Sequence, residues 1–127
     1  MSELEILGVD NALLGVSDFE AGRRFYAETL GLRVKFEVPQ LGLAGFRLGP
    51  EEPGLLIRAQ PGPPRLWLEV RDARAAAAAL EGRGVTPLRP PFEVATGWTV
   101  EFADPWGNVL GLTDYSKDPA HARSPGD

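Results

Sequence analysis

Residues 14–32 read LGVSDFEAGRRFYAETLGL, and this stretch decides the fold. It begins at the end of an apolar run that is typical of a short strand. Ser17 and Glu20 form a Ser-x-x-Glu capping box, which indicates that a helix begins there. Apolar residues then recur at helical spacing, and Gly31 stands where a left-handed C-terminal cap is expected. The stretch therefore predicts a strand followed by a helix over residues 18–30.

The remainder of the chain repeats this order of elements. Val70-Arg71-Asp72 lies 54 residues after Val16-Ser17-Asp18, again between a strand and a helix, and Asp72 is expected to cap that helix. Prolines in 85–97 restrict any strand there to a short or edge position. Period-two alternation and helical spacing predict strands at 11–16, 33–38, 43–48, 55–60, 65–70, 98–102 and 109–113, and a second helix at 73–81. The chain thus reads strand, helix and three strands, twice.

The composition is that of one globular domain. The 127 residues are 43% hydrophobic and 24% charged, so the chain can bury a core. Fifteen glycines and twelve prolines predict many turns and short strands. We expect one α+β domain over residues 1–115, with modules at about 8–60 and 65–115, and a flexible polar tail over residues 116–127.

Charge and cysteine content exclude several classes of protein. A net charge of −5 and a pI near 4.9 argue against a nucleic-acid partner, because nucleic-acid modules usually carry a basic face. No apolar run is long enough for a membrane helix, and the N-terminus lacks the apolar core of a signal peptide, so no membrane partner is expected. The absence of cysteine excludes disulfides and thiolate metal sites. We expect a cytoplasmic protein.

Four motifs resemble one known family. They are Leu14-Gly15-Val16-Ser17-Asp18, Arg24-Phe25-Tyr26, Leu30-Gly31-Leu32 and Asp104-Pro105-Trp106-Gly107-Asn108. The family that they resemble is the glyoxalase/bleomycin-resistance/extradiol-dioxygenase superfamily, also called the vicinal oxygen chelate proteins. The resemblance implies two tandem βαβββ modules that form a curved mixed sheet around a concave cleft, and a homodimer. It also implies that the cleft holds either a divalent metal or, without metal, a small molecule such as an antibiotic.

The positions at which the family carries metal ligands depart from its pattern. Catalytic members place His, Glu or Gln at most of them, whereas this chain has Asn11, Arg58, Arg65 and Gly111 there. Two guanidinium groups repel a cation, a glycine has no ligand atom in a side chain, and the single histidine, His121, lies in the predicted tail. We therefore expect neither a metal nor another cofactor.

The register of the strands can be tested within the sequence. If Asn11 and Arg65 face the cleft, alternation places Trp67 and Glu69 on the same face. The opposite face of that strand is then Leu66-Leu68-Val70, which is fully apolar, as a surface packed under a helix must be. The resulting ligand-binding cleft comprises Asn11, Arg58, Arg65, Trp67, Glu69, Glu101, Trp106 and Gly111.

Three functions remain open at this point. The leading hypothesis is metal-free binding of a small organic molecule, for example to sequester a drug or a metabolite, with aromatic faces for stacking and a few charges for orientation. The alternative is a lyase, isomerase or dioxygenase of the same superfamily, metal-dependent or cofactor-free, with Glu69 or Glu101 as a general base beside an arginine. In the third, ion pairs among these charges fill the cleft, and the domain is an interaction module.

Overall fold

The structure is a computed structural model that describes residues 4–49, 54–59 and 62–123. Two compact units divide the chain: an N-terminal unit, Asp10–Leu66, and a C-terminal unit formed by Met1–Val9 with Trp67–Asp127. Residue 60 of the predicted strand 55–60 and residues 124–127 of the predicted tail lie outside the described residues. Among the described residues, no helix combines the length and apolar character needed to cross a membrane.

The N-terminal unit contains one strand, a helical segment and three further strands. The elements are β1 (Gly8–Gly15), α1 (Phe19–Arg24) with a π-helical continuation (Phe25–Thr29), β2 (Arg33–Val38), β3 (Leu43–Arg47) and β4 (Gly54–Arg58). Their order in the sheet is β2-β3-β4-β1, with β1 parallel to β4 and the other pairs antiparallel. A tight 3₁₀ turn at Pro39–Leu41 joins β2 to β3.

The helical segment differs from its prediction in two details. Asp18, and not Ser17, caps α1, since its carboxylate accepts a hydrogen bond from the Ala21 N–H at 3.0 Å. The segment also changes from α to π geometry, because the Leu30 N–H donates to the Phe25 carbonyl five residues earlier. Gly31 has a φ of +73°, which confirms the predicted left-handed end of the helix.

The core of the N-terminal unit lies between this helical segment and one face of the strands. Ala44, Phe46 and Ile57 are fully buried there, and the helical segment covers them with the side chains of Phe19, Tyr26 and Ala27. The register aligns Ala44 with Ile57 and Gly45 with Leu56, so alternate residues of β3 and β4 point away from the helix. The unit therefore has one covered face and one helix-free face.

The C-terminal unit repeats the order of elements. It contains β5 (Arg65–Glu69) from Trp67 onward, α2 (Ala73–Gly82), β6 (Phe92–Val94), β7 (Gly97–Ala103) and β8 (Val109–Thr113), arranged as β5-β8-β7-β6. Asp72 caps α2 as predicted, by accepting from the Ala75 N–H at 3.1 Å. The proline-rich stretch forms only the three-residue edge strand β6, as expected for a segment that lacks several N–H donors.

A thin, alanine-rich helix covers one face of these strands. Ala73, Ala76 and Ala77 are almost completely buried, and with such small side chains α2 packs closely on Val100 and Leu112. Leu68 of β5 and Val70 just after it belong to the same cluster, which confirms the predicted face at these positions; Leu66, predicted on that face too, is 38% exposed and lies outside the cluster. The chain is an α+β fold in which two βαβββ modules follow one another, as the sequence predicts.

Candidate functional site

The helix-free face of the C-terminal unit carries four of the predicted residues. Since Leu68 and Val70 pack under α2, alternation turns Trp67 and Glu69 to the other side of β5. In the β7–β8 register Glu101 stands opposite Gly111, on the face away from Val100 and Leu112. These residues therefore share one face.

The indole of Trp67 lies directly on Gly111. A Cβ built at Gly111 would overlap the indole Cδ1 and Nε1 atoms, so this position of β8 has no room for a side chain while Trp67 is in place. The indole N–H is itself buried and has no hydrogen-bond partner among the described residues. A buried donor of this kind is costly unless something accepts its hydrogen.

Glu69 is the most deeply buried charge of this face, with 1% of its surface exposed. Its carboxylate accepts two hydrogen bonds from Arg123: one from the backbone N–H at 2.9 Å and one from the guanidinium Nη1 at 2.7 Å. The guanidinium also donates from Nη2 to the Val9 carbonyl at 2.8 Å. Sequence reasoning did not find this pair, because Arg123 belongs to the segment predicted as a flexible tail. The described part of that segment contains a 3₁₀ turn at Pro119–His121.

Glu101 and two threonines complete the polar part of this face. Glu101 is 7% exposed on β7. Next to it, the hydroxyls of Thr99 and Thr113 lie 2.8 Å apart and are both buried. Polar groups that are buried in this way are normally hydrogen-bonded, and the threonine pair follows that rule.

Trp106 occupies a different environment from Trp67. It is 83% exposed at the tip of the β7–β8 turn. The Asp104 carboxylate organises this turn by accepting hydrogen bonds from the Trp106 and Asn108 backbone N–H groups, each at 2.9 Å, and from the Asn108 side-chain amide at 2.8 Å. These hydrogen bonds lower the pKa of the Asp104 carboxyl below its ordinary value, and the bond from the Asn108 side-chain amide contributes most. The turn therefore holds the indole of Trp106 out in solvent.

The remaining three predicted residues belong to the N-terminal unit. Asn11 lies on β1, Arg58 ends β4, and Arg65 begins β5; each is partly buried. The Asn11 amide nitrogen donates to the Asp10 carboxylate at 2.9 Å, while its Oδ1 atom is buried without a partner among the described residues. The structure thus places three of the eight residues in one unit and five in the other.

An aromatic contact on the helix-free face of the N-terminal unit was missed by sequence reasoning. The Phe36 ring of β2 lies on Gly45 of β3, where a built Cβ would stand 2.9 Å from the Phe36 Cζ atom. Phe36 remains 39% exposed, and Leu13 and Leu56 form a register pair on the same face. Each unit therefore has an aromatic ring on a glycine of a neighbouring strand. A glycine in the middle of β3, Gly45, was the feature of the sequence that could have indicated this contact.

A buried carboxylate outside the predicted set holds the C-terminal unit together. Asp114 is 1% exposed and accepts hydrogen bonds from the Ala73 N–H at 2.8 Å, the Trp98 N–H at 2.9 Å, and both the N–H and the hydroxyl of Ser116. Burial by itself raises the pKa of this carboxyl, but the hydrogen bonds outweigh it, and the pKa lies below its ordinary value. Asp114 therefore supports the start of α2.

The residues at the family's metal positions do not fit a divalent cation. Gly111 supplies no side-chain donor, and the Trp67 indole fills the space that a donor would need. Arg58 and Arg65 are cations, and Asn11 offers one neutral oxygen. Within residues 4–49, 54–59 and 62–123, no three His, Asp or Glu side chains come together as a metal site would require.

Comparison with known proteins agrees with this fold. The 2,3-dioxygenase LapB from Pseudomonas sp. KL28 is 25% identical, with a TM-score of 0.69 over 90% of this chain; the chain spans 42% of the length of LapB. Methylmalonyl-CoA epimerase from Mycobacterium tuberculosis is 16% identical, with a TM-score of 0.72, and the match covers 96% of this chain and 97% of that one.

An extradiol ring-cleaving dioxygenase from B. fuscum is 24% identical, with a TM-score of 0.70 over 87% of this chain and 33% of its own. No curated protein matches the chain closely enough to count as a relative. The model of the Glyoxalase/Bleomycin resistance protein/Dioxygenase superfamily matches residues 8–112, which is most of the chain. The match agrees with the two βαβββ modules and with the motifs that they contain. The chain therefore belongs to the Glyoxalase/Bleomycin resistance protein/Dioxygenase superfamily.

Proposed function

We propose that this protein binds a small organic molecule without a metal and thereby sequesters a drug or a metabolite. The contact between Trp67 and Gly111 carries the proposal. An aromatic ring takes the place of a metal-binding side chain, so the face gains a surface for stacking and loses a ligand atom. The buried indole N–H adds one donor that could orient a bound acceptor.

The N-terminal unit supports the proposal with a second apolar surface. Phe36 lies on Gly45 and is 39% exposed, whereas Leu13 and Leu56 of the same face are already buried, so Phe36 is the apolar group that this face offers to a ligand. Binding sites for small molecules are usually lined by apolar and aromatic side chains with a few polar groups. Both helix-free faces have that character.

A fluorescence titration with N-phenyl-1-naphthylamine, a neutral aromatic probe, tests the proposal. We expect saturable binding by the native protein and at least tenfold weaker binding by Trp67→Ala. Leu88→Ala is the control, because it removes a large apolar side chain that is 56% exposed and outside the predicted cleft. Its affinity should stay within twofold of the native value. Equal affinity in the native protein and in Trp67→Ala would show that this face does not bind the probe.

Native mass spectrometry of protein purified without a metal-binding tag tests the metal-free part of the proposal. We expect a mass without a bound divalent ion, and probe binding that EDTA leaves unchanged. One stoichiometric divalent ion, or a loss of probe binding after EDTA treatment, would contradict the proposal and favour a metal-dependent enzyme.

We further propose that the protein acts as a homodimer in the cytoplasm. Phe25 and Leu30 support the dimer, because both are about half exposed on the helical segment of the N-terminal unit, and exposed apolar side chains are common at protein interfaces. The absence of cysteine is compatible with a reducing compartment. Light scattering should give twice the chain mass of 13.7 kDa; a monomer at all concentrations would refute the dimer.

A further inference from the structure

The guanidinium of Arg123 is paired with the buried Glu69 carboxylate at 2.7 Å. We propose that it is an internal stand-in for the guanidinium or amidinium group of a ligand, so that the C-terminal segment, residues 116–123, competes with that ligand for Glu69. The inference rests on the proposed function, because it names the chemical class of molecule that the helix-free face of the C-terminal unit would bind.

The surroundings of Glu69 support this inference. Among the described residues, Arg123 is the hydrogen-bond partner of both carboxylate oxygens. Glu69 is two residues from Trp67, so a carboxylate and an aromatic ring project from the same face of β5. This pair of groups binds planar cations well, since the carboxylate accepts from the N–H groups and the ring attracts the positive charge.

The attachment of the C-terminal segment makes exchange possible. Lys117 fixes its beginning through a backbone hydrogen bond to the Thr96 carbonyl. Beyond it, the Asp118 N–H donates to the Tyr115 carbonyl at the foot of the segment, and the hydrogen bonds of His121 and Ala122 stay within the segment. Arg123 is therefore the polar anchor of the last turn, and 30% of its side chain is open to solvent.

The burial of Glu69 determines what can replace Arg123. Only 2% of the Glu69 side chain is exposed. If the Arg123 side chain moved away and nothing replaced it, the buried negative charge of Glu69 would be unpaired, which is strongly disfavoured. A ligand that brings its own forked N–H donors restores the same hydrogen bonds. Without a ligand, the segment should therefore keep Arg123 bound to Glu69. A planar cation should displace Arg123, whereas a neutral analogue should not.

Benzamidine and its neutral analogue benzamide test the proposal by isothermal titration calorimetry. The variant Arg123→Ala removes the competing side chain, so it should bind benzamidine at least tenfold more tightly than the native protein. Its affinity for benzamide should stay within twofold of the native value. The difference is expected because Arg123 occupies Glu69 in most native molecules and thereby lowers the apparent affinity for a cation. Adding Glu69→Gln to Arg123→Ala should abolish the preference for benzamidine. Equal benzamidine affinity in the native protein and Arg123→Ala would overturn the proposal.

Two further variants guard against a folding defect in Arg123→Ala. Arg123→Lys keeps the charge but loses the fork, and should tighten benzamidine binding two- to fivefold. Lys117→Ala is the matched control: it removes a cation of the same segment whose pair with Glu93 is exposed, and should change the affinity less than twofold. A gain as large in Lys117→Ala as in Arg123→Ala would refute a role specific to Arg123.

Hydrogen exchange on the native protein gives a second readout. Saturating benzamidine should speed exchange of the Arg123 amide, which donates to Glu69, and leave the Trp98 amide on Asp114 unchanged. Continued protection of Arg123 in the benzamidine complex would refute displacement. If N-phenyl-1-naphthylamine still binds through Trp67 while these tests fail, only this inference falls; if neither probe binds any variant, the proposed function falls as well.

Discussion

Trp67 and Gly111 are coupled: the indole rests on the backbone of the glycine, and neither residue can change size without affecting the other. Gly111→Ala should therefore destabilise the protein by about 1–3 kcal/mol, the usual cost of overpacking a filled site. Urea denaturation measures the loss. In a Trp67→Ala background the same substitution should cost at least about 1 kcal/mol less, since residues in contact are not additive.

Gly82→Ala is the matched control for this prediction. Gly82 ends α2, and a Cβ there would meet no atom within 4 Å. Its free energy of unfolding should stay within about 0.5 kcal/mol of the native value or rise, because alanine favours a helix over glycine. If Gly111→Ala is as stable as Gly82→Ala, the close contact of Trp67 and Gly111 is refuted.

Asp114→Asn should lower the free energy of unfolding by about 3 kcal/mol. The amide has one oxygen where the carboxylate has two, so one of the buried N–H groups of Ala73 or Trp98 faces another donor. Thermal or urea denaturation at neutral pH measures the change. Asp72→Asn, an exposed cap of the same helix, should cost less than about 0.5 kcal/mol, because asparagine caps well.

The same carboxyl makes stability depend on pH. Since folding lowers the pKa of Asp114, its contribution is complete above the unfolded pKa of about 4 and is lost as the pH falls through the lower folded pKa. The native protein should therefore lose stability below about pH 4 more steeply than Asp114→Asn. Parallel stability curves for the two proteins over this range would contradict the assignment.

Asp104→Ala should loosen the β7–β8 turn. The amides of Trp106 and Asn108 donate to this carboxylate, so both should exchange faster with solvent, as measured by NMR. Acidification through the lowered pKa of Asp104 should have the same effect on the native protein. Asp118→Ala, another exposed carboxylate of the same unit, should leave both amides unchanged. Slow exchange in Asp104→Ala would refute its role in the turn.

Two ion pairs of the C-terminal unit should differ in their contribution to stability. Arg123→Ala leaves the buried Glu69 unpaired and should cost about 2–3 kcal/mol. Lys117→Ala breaks the exposed pair with Glu93 and should cost less than about 1 kcal/mol. Chemical denaturation of both variants provides the comparison. Equal losses of unfolding free energy in the two variants would contradict the expectation that burial of Glu69 makes its ion pair the more important one.

Local patterns were sufficient to predict most of the fold. The apolar residues Leu68 and Val70 indicated which side of the chain meets the helix, although Leu66 in the same alternation is exposed, and the aspartate at position 72 indicated where α2 begins. Near the first helix the cap was misplaced by one residue, because serine and aspartate are both good caps and only the backbone conformation distinguishes Asp18 from Ser17.

The candidate site was predictable in its residue types but not in its contacts. The alternation of side chains along β5 placed Trp67 and Glu69 on one face. The contact between Trp67 and Gly111, in contrast, depends on the order of the strands and on the side-chain rotamer of Trp67. The pairing of Glu69 with Arg123 joins residues 54 positions apart. The segment that contains Arg123 has the composition of a tail, so no local signal indicated that it packs against the sheet.

The glycine under Trp67 limits the order in which this protein could acquire a metal ligand. A histidine or glutamate introduced at position 111 meets the indole, so the single substitution is penalised before any metal can compensate for it. Trp67 would have to be shortened first, and that step alone removes an aromatic surface. Laboratory evolution toward a metalloenzyme should therefore recover changes at position 67 before, or together with, changes at position 111.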